Sequence, residues 1–149
     1  MTTFNLSRST SPSAGPSRTG AYGPTLMRQI VNFSGILVAN SGTTSVATTD
    51  LIRAFAIPPN TFVMMIGAHV QETAVSGAFT ISAASVTYAS GHMSVSGDVD
   101  NKFPNSTSGA MFTSASAVDV YLTLTSGSAI AGKVVVFALV CPTFGAAGV

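Results

Sequence analysis

Apolar and polar positions alternate with a period of two along most of the chain after residue 28, which is typical of β-strands. The longest such run, residues 61–71 (TFVMMIGAHVQ), follows two consecutive prolines, neither of which can donate a hydrogen bond to a neighbouring strand. We interpret the parity that begins at Phe62 as filling the core of a sandwich. Val63 and Met65, on the other parity, are too apolar for open water and are predicted to lie at a subunit interface.

Two further strand patterns lie near the end of the chain. Residues 118–125 of the predicted strand 118–126 alternate strictly between apolar and polar side chains, as expected for a half-buried strand. Residues 133–141 are apolar on both parities, so this strand is expected in the centre of a sheet, covered on both faces by a second sheet or by another subunit. We predict that the two strands pair as a hairpin around residues 127–132.

Shorter strand patterns cover residues 29–39, 44–57 and 76–99, with turn residues between them. No segment has the pattern of a long amphipathic helix, although a helical turn fits residues 51–55. Roughly eight short strands at this spacing predict an all-β fold, a β-sandwich of the jelly-roll kind. We assign residues 25–149 to one such domain, because the length of the chain suits a single domain.

Residues 1–24 are rich in Ser, Thr, Pro and Gly and have no hydrophobic period, so they cannot build a core of their own. Two interpretations stay open: a disordered tail, or an extended N-terminal arm that becomes ordered along a neighbouring protein. In the second interpretation the contact residues of the arm are Phe4, Leu6, Arg8, Arg18 and Tyr22.

Charge is scarce, since only 7% of residues are charged against about 25% in an ordinary soluble domain. Polarity comes instead from the hydroxyls of 20 Ser and 18 Thr, and the formal net charge is +1. So little charge protects poorly against self-association, and we expect a homo-oligomer or a component of a larger assembly. The six basic residues form no stripe suited to nucleic acid, and the longest apolar run, residues 134–141, is too short for a membrane-spanning helix. Neither nucleic acid nor a membrane is predicted as a partner.

Side chains that could carry out catalysis are few. His69 and Glu72 are three residues apart, so on a strand they would point to opposite faces and could not share one metal ion. Asp98 and Asp100 are spaced like the start of a calcium loop but lack the acidic residue that closes one, which favours an ordinary turn. Cys141 is the single cysteine and fits an apolar strand. We predict no enzymatic activity, no cofactor and no metal site.

Three segments occur in a suggestive order: IPPNTFVMMIGAHVQETA, then SGDVDNKF, then VDVYLTLTSGSAIAGKVVVFALV. This order resembles the small decoration (cement) proteins of tailed-bacteriophage heads, over about residues 54–141. The matching residues are Pro58, Pro59, Asn60, Thr61, Val63, Gly97, Asp98, Phe103, Tyr121, Leu122, Thr123, Gly132 and Lys133. The resemblance implies a β-sandwich, commonly trimeric, that lies on the outer surface of the virion and bridges neighbouring major capsid proteins. The N-terminal arm would then be a capsid contact.

Other interpretations stay open. A receptor- or carbohydrate-binding head or fibre domain of a virion is one, although the absence of Trp and the presence of only three Tyr give few aromatic platforms. An eight-stranded outer-membrane barrel suits the length, but few aromatic residues are available for its girdles.

Overall fold

The computed structural model describes residues 1, 3–5, 24–59, 61–74, 77–94, 96, 99–101 and 116–142. Within these ranges the chain forms strands and one short helix. In chain order they are β1 (Thr3–Asn5), β2 (Thr25–Asn32), α1 (Phe33–Ala39), β3 (Leu51–Ile57), β4 (Thr61–Glu72), β5 (Ala78–Ala83), β6 (Val86–His92), β7 (Val99–Asn101), β8 (Val118–Ser126) and β9 (Lys133–Pro142).

The strands form two sheets. The six-stranded sheet has the order β1-β3-β8-β5-β6-β7, and the three-stranded sheet has the order β2-β9-β4. Inward side chains of both sheets meet in one buried cluster, with Val120 and Leu122 from β8 and Val134 and Val136 from β9. The prediction of an all-β, sandwich-like fold is therefore confirmed, while the jelly-roll topology stays a prediction.

The predicted hairpin of the last two strands is wrong, although both strands exist. β8 pairs with β3 and β5, whereas β9 pairs with β2 and β4 in the other sheet. The connection crosses between the sheets, and its Ala129 exchanges two backbone hydrogen bonds with Val46, at 2.9 and 3.0 Å. Gly132 ends the crossing at a φ of +100°, a left-handed conformation that glycine adopts without steric cost.

The strand predicted over residues 29–39 ends after Asn32, where the chain turns into α1. The Asn32 side chain accepts hydrogen bonds from the backbone N–H of Gly35 and the hydroxyl of Ser34, and it thereby caps the helix. Phe33 and Ile36, three residues apart on α1, are both buried, which fixes the helix against the core. The helical turn suggested for residues 51–55 is also absent, because these residues belong to β3.

A β-bulge in β4 changes the parity predicted for this strand. The register against β9 shifts between Val63 and Met65, so the buried side chains are Val63 before the shift and Ile66 and Ala68 after it. Val63 has no exposed surface, so the prediction that it lies at a subunit interface is wrong. Met65 is half-buried and points outward, so its interface role stays a prediction.

Strand β1 corrects one residue of the predicted arm. β1 pairs in parallel with β3 at the edge of the six-stranded sheet, and Phe4 lies opposite Ile52. The Phe4 side chain is only 3% exposed and belongs to the chain's own core, so in this conformation it cannot contact a capsid. The other predicted contact residues, Leu6, Arg8, Arg18 and Tyr22, lie outside the described residues.

Candidate interaction surface

The outward side chains of the three-stranded sheet form an unusually apolar surface. β9, the central strand, buries every even-numbered residue from Val134 to Val140 in the core, and its odd-numbered residues point away from it. Those outward residues include Val135, Phe137 and Leu139, each half-buried by its neighbours within the sheet. The sequence correctly predicts β9 as a central strand that is apolar on both faces, but in the single chain only the inner face has a second sheet over it.

The neighbouring strands extend this surface, because residues directly opposite each other in antiparallel strands share a face. Leu139 lies between Leu26 of β2 and Met65 of β4. We call the whole surface the apolar face and define it by Leu26, Ile30, Phe62, Met65, Val135, Phe137, Leu139 and Cys141.

The two β2 residues are the most exposed part of the apolar face. Leu26 is 58% exposed and Ile30 is 37% exposed. Sequence reasoning singled out neither: Leu26 lay before the predicted start of this strand at residue 29, and Ile30 lay inside the predicted strand but was not assigned to a face. The signal was available in TLMRQIVN, where the exposed residues of β2 alternate with Met27, Gln29 and Val31, which face the core.

Polar groups lie within and at one end of the apolar face. Arg28 and His69 are exposed and lie opposite Phe137 and Val135, respectively. An arginine can lay its aliphatic stem on apolar surface while its guanidinium stays in water. A second register shift, between Val70 and Glu72, puts Glu72 on the same outward face as His69, so the expectation that they point to opposite faces is wrong. The ion pair of Glu72 with Lys133 marks the end of the apolar face.

The extent of the apolar face follows from strand geometry. Three strands about 4.8 Å apart, each running for about eight residues at ~3.4 Å per residue, cover roughly 400 Å². The largest apolar patch on a typical monomer is about 300–600 Å² and is often functional, so this face has the size of an interaction site.

The outward face of the six-stranded sheet has the opposite character. Thr80 of β5 lies between Thr123 of β8 and Ser90 of β6, which places three hydroxyl side chains in one cross-strand row. A shallow depression of about 250 Å³ lies beside this row, lined by Ala78, Phe79, Thr80, Ser90, Gly91, His92 and Thr125. We call this surface the hydroxyl face.

One ionic cluster lies on the hydroxyl face. Arg53 contacts the Asp119 carboxylate at 2.7 Å, and the Tyr121 hydroxyl donates a hydrogen bond of 3.1 Å to the same carboxylate. Burial raises the pKa of Tyr121, and the hydrogen bond and negative charge of Asp119 raise it further, whereas Arg53 lowers it. The cluster ties β3 to β8 and gives this tyrosine no tendency to ionise near neutral pH.

The two histidines are on different sheets, His69 on β4 and His92 on β6. Within the described ranges, no group of three or more His, Cys, Asp or Glu side chains is arranged to hold a metal ion. No helix in the described part of the chain is both long enough and apolar enough to cross a membrane.

Comparison with known proteins gives no assignment: no protein family, no curated protein and no solved structure matches this chain.

Proposed function

We propose that the protein is a structural subunit of a viral particle: a decoration (cement) protein that forms homo-oligomers, binds the outer surface of the capsid and bridges major capsid proteins without catalysis. The observation that carries this proposal is the apolar face. A surface of this size and composition is unfavourable in water, and covering it with a second copy of the same chain removes the cost.

The low net charge of the chain favours self-association over electrostatic attraction to a charged partner. With a formal net charge of +1, two copies repel each other only weakly, and no field of one sign would draw in nucleic acid. The Lys133–Glu72 ion pair lies at the end of the apolar face. Apart from this pair, Arg28 is the only charged side chain on that face among the described residues of the three strands.

The capsid part of the proposal is supported by the resemblance of the three sequence segments to decoration proteins. The first of them runs from the two prolines through β4, and the last runs through β8 and β9. A protein that binds only the closed form of a shell stabilises that form by mass action, and several binding sites per oligomer multiply the effect. By analogy with the family the oligomer is a trimer.

Two measurements test the proposal separately. Light scattering of the purified chain is expected to give the mass of an oligomer, a trimer in the proposed case. Cosedimentation with heads assembled without this protein is expected to show saturable binding, and to show none with bovine serum albumin as the control. A monomer at micromolar concentration would contradict the self-association, and an oligomer that leaves every head bare would contradict the capsid role alone.

A receptor- or carbohydrate-binding domain of a virion is the second candidate, and the depression on the hydroxyl face favours it. Thr80, Ser90, Thr125 and His92 supply hydrogen-bonding groups there, and no acidic or basic residue other than His92 lines the depression. Such a lining suits an uncharged polyhydroxylated ligand. A glycan array is expected to show one class of ligand if this function is correct, and binding should fall when Thr80→Val and Thr125→Val are combined.

A further inference from the structure

We propose that the edge of β3 is a docking slot for the N-terminal strand of a neighbouring copy, so that β1 exchanges between subunits of the oligomer. This inference rests on the proposed self-association and specifies how copies are tied together. The occupant is the segment Thr3–Asn5 of a second identical chain.

The slot is built from a short parallel pairing with one anchor. Thr3, Phe4 and Asn5 lie opposite Leu51, Ile52 and Arg53, and this is the only parallel pairing among the strand pairs of the described residues. Phe4 is 3% exposed and Ile52 is fully buried, so the anchoring side chain completes the core beside β3. Main-chain pairing plus one buried side chain is the way in which extended peptides add to a sheet edge.

The connection of β1 to the rest of the chain allows the exchange. β1 lies at the edge of the six-stranded sheet, the next strand belongs to the other sheet, and residues 6–23 separate them along the sequence. A chain of 18 residues can span at most about 60 Å, which exceeds the diameter of a domain of this size. The β1 strand of an adjacent subunit can therefore reach the same slot.

The contacts that β1 makes in the slot do not favour its own chain over a neighbouring copy. The contacts of Phe4 are identical whether the strand comes from the same chain or from a copy, so only the entropy of connecting the strand differs. Within an oligomer the neighbour's strand is also held close by, at an effective concentration set by the length of its connection and far above that of a free chain in solution.

The area of the apolar face gives a reason for exchange. A stable interface buries about 800 Å² on each partner, roughly twice the estimated extent of the apolar face. The apolar face alone falls short of this area, and an exchanged strand that places Phe4 in the partner's core adds to the contact. The slot and the apolar face lie on different sheets, so both can be occupied at once.

Disulfide trapping between two different chains tests the exchange directly. Thr3 and Leu51 are paired, and strands lie about 4.8 Å apart, within the Cα separation that a disulfide spans. Thr3→Cys and Leu51→Cys are made as separate variants, each with Cys141→Ser to remove the native thiol, and one carries a mass tag. The two are mixed, unfolded and refolded together, and oxidised. Exchange is expected to give a covalent dimer of one tagged and one untagged chain, at least tenfold above the yield with Ser34→Cys, an exposed control, in place of Leu51→Cys.

A second variant, with both Thr3→Cys and Leu51→Cys in one chain, separates the possible failures. If light scattering shows an oligomer but oxidation gives only internally linked monomers, the exchange is overturned and the proposed self-association stands. If the chain is monomeric and internally linked, both are overturned. If neither the mixed dimer nor the internal link forms under oxidation while a thiol reagent labels both cysteines, β1 does not occupy the slot and the exchange is again overturned.

Discussion

Leu26 is the side chain at which the proposed interface can be tested with the least damage to the fold, because 58% of it is exposed in the single chain. We expect Leu26→Lys to fold normally and to lose self-association. Val38→Lys is the matched control: Val38 is also apolar and 82% exposed, but it lies on α1, outside the apolar face. A lysine in the last turn of a helix is favourable, so the control should not weaken α1.

The size of the effect follows from the exposed fraction. Fully burying a leucine side chain contributes about 1.5–3 kcal/mol, so the exposed 58% of Leu26 leaves roughly 1–2 kcal/mol to be gained on assembly. Lysine at this position loses this gain. Removing its ammonium group from water, next to the like charge of Arg28, costs a further ~2 kcal/mol or more, which is the penalty that remains after relaxation. A combined loss of about 3 kcal/mol or more raises the dissociation constant over ~100-fold.

Sedimentation velocity over a dilution series measures this change, and thermal unfolding followed by circular dichroism checks the fold. The parent and Val38→Lys are expected to keep the oligomer's mass at concentrations where Leu26→Lys is monomeric. If Leu26→Lys kept the parent's mass at every concentration while remaining folded, the apolar face would not be the contact that holds the oligomer together.

Three further predictions concern the fold. Val63→Asp should cost about 4 kcal/mol or more in the free energy of unfolding, because it buries an unpaired charge, whereas Met64→Asp should cost under about 1 kcal/mol. Urea titration compares the two variants, and equal losses would contradict the burial of Val63. Gly132→Ala should lower the free energy of unfolding by about 1–3 kcal/mol in the same assay, because Gly132 has a φ of +100° and an added Cβ would lie 3.0 Å from the Cβ of Ala74. An unchanged urea midpoint would contradict this conformation. Burial raises the pKa of Tyr88, so the unfolded chain loses this proton first and stability should fall as pH rises above about 10. Tyr88→Phe should reduce that fall, and a slope unchanged from the parent's would be evidence against burial of the hydroxyl.

The sequence predicts the strands better than it predicts how they are arranged. Strict alternation in residues 118–125 identifies β8 and its buried face, since burial follows parity along this part of the strand. The alternation does not indicate which strands pair with β8, because such a pattern shows which side of a strand is buried and not which strand lies beside it. The short separation of β8 and β9 suggested a hairpin, whereas the residues between them cross from one sheet to the other.

The same limit explains why the interface residues were predicted only in part. A bulge inserts one residue into β4 and exchanges its two faces, and two adjacent methionines, Met64 and Met65, give no signal of where this happens. Val63 was therefore placed on the wrong side, whereas Met65 does lie on the outward face, where its interface role stays a prediction. Phe4 could not be placed either, because a three-residue strand is too short for a periodic pattern.

The different chemistry of the two outward faces restricts how copies can be arranged in the proposed assembly. If the apolar face met a different surface of the next copy, one end of the row would keep an uncovered apolar face and the other end would keep an uncovered partner surface. Such contacts grow into filaments unless the rotation closes. Net charge is too low to stop this growth by repulsion. A closed ring with the apolar faces toward its axis covers all of them and leaves the hydroxyl faces in water. Closure is then what limits the size of the assembly, and a variant that weakens the apolar face should release monomers and not larger aggregates.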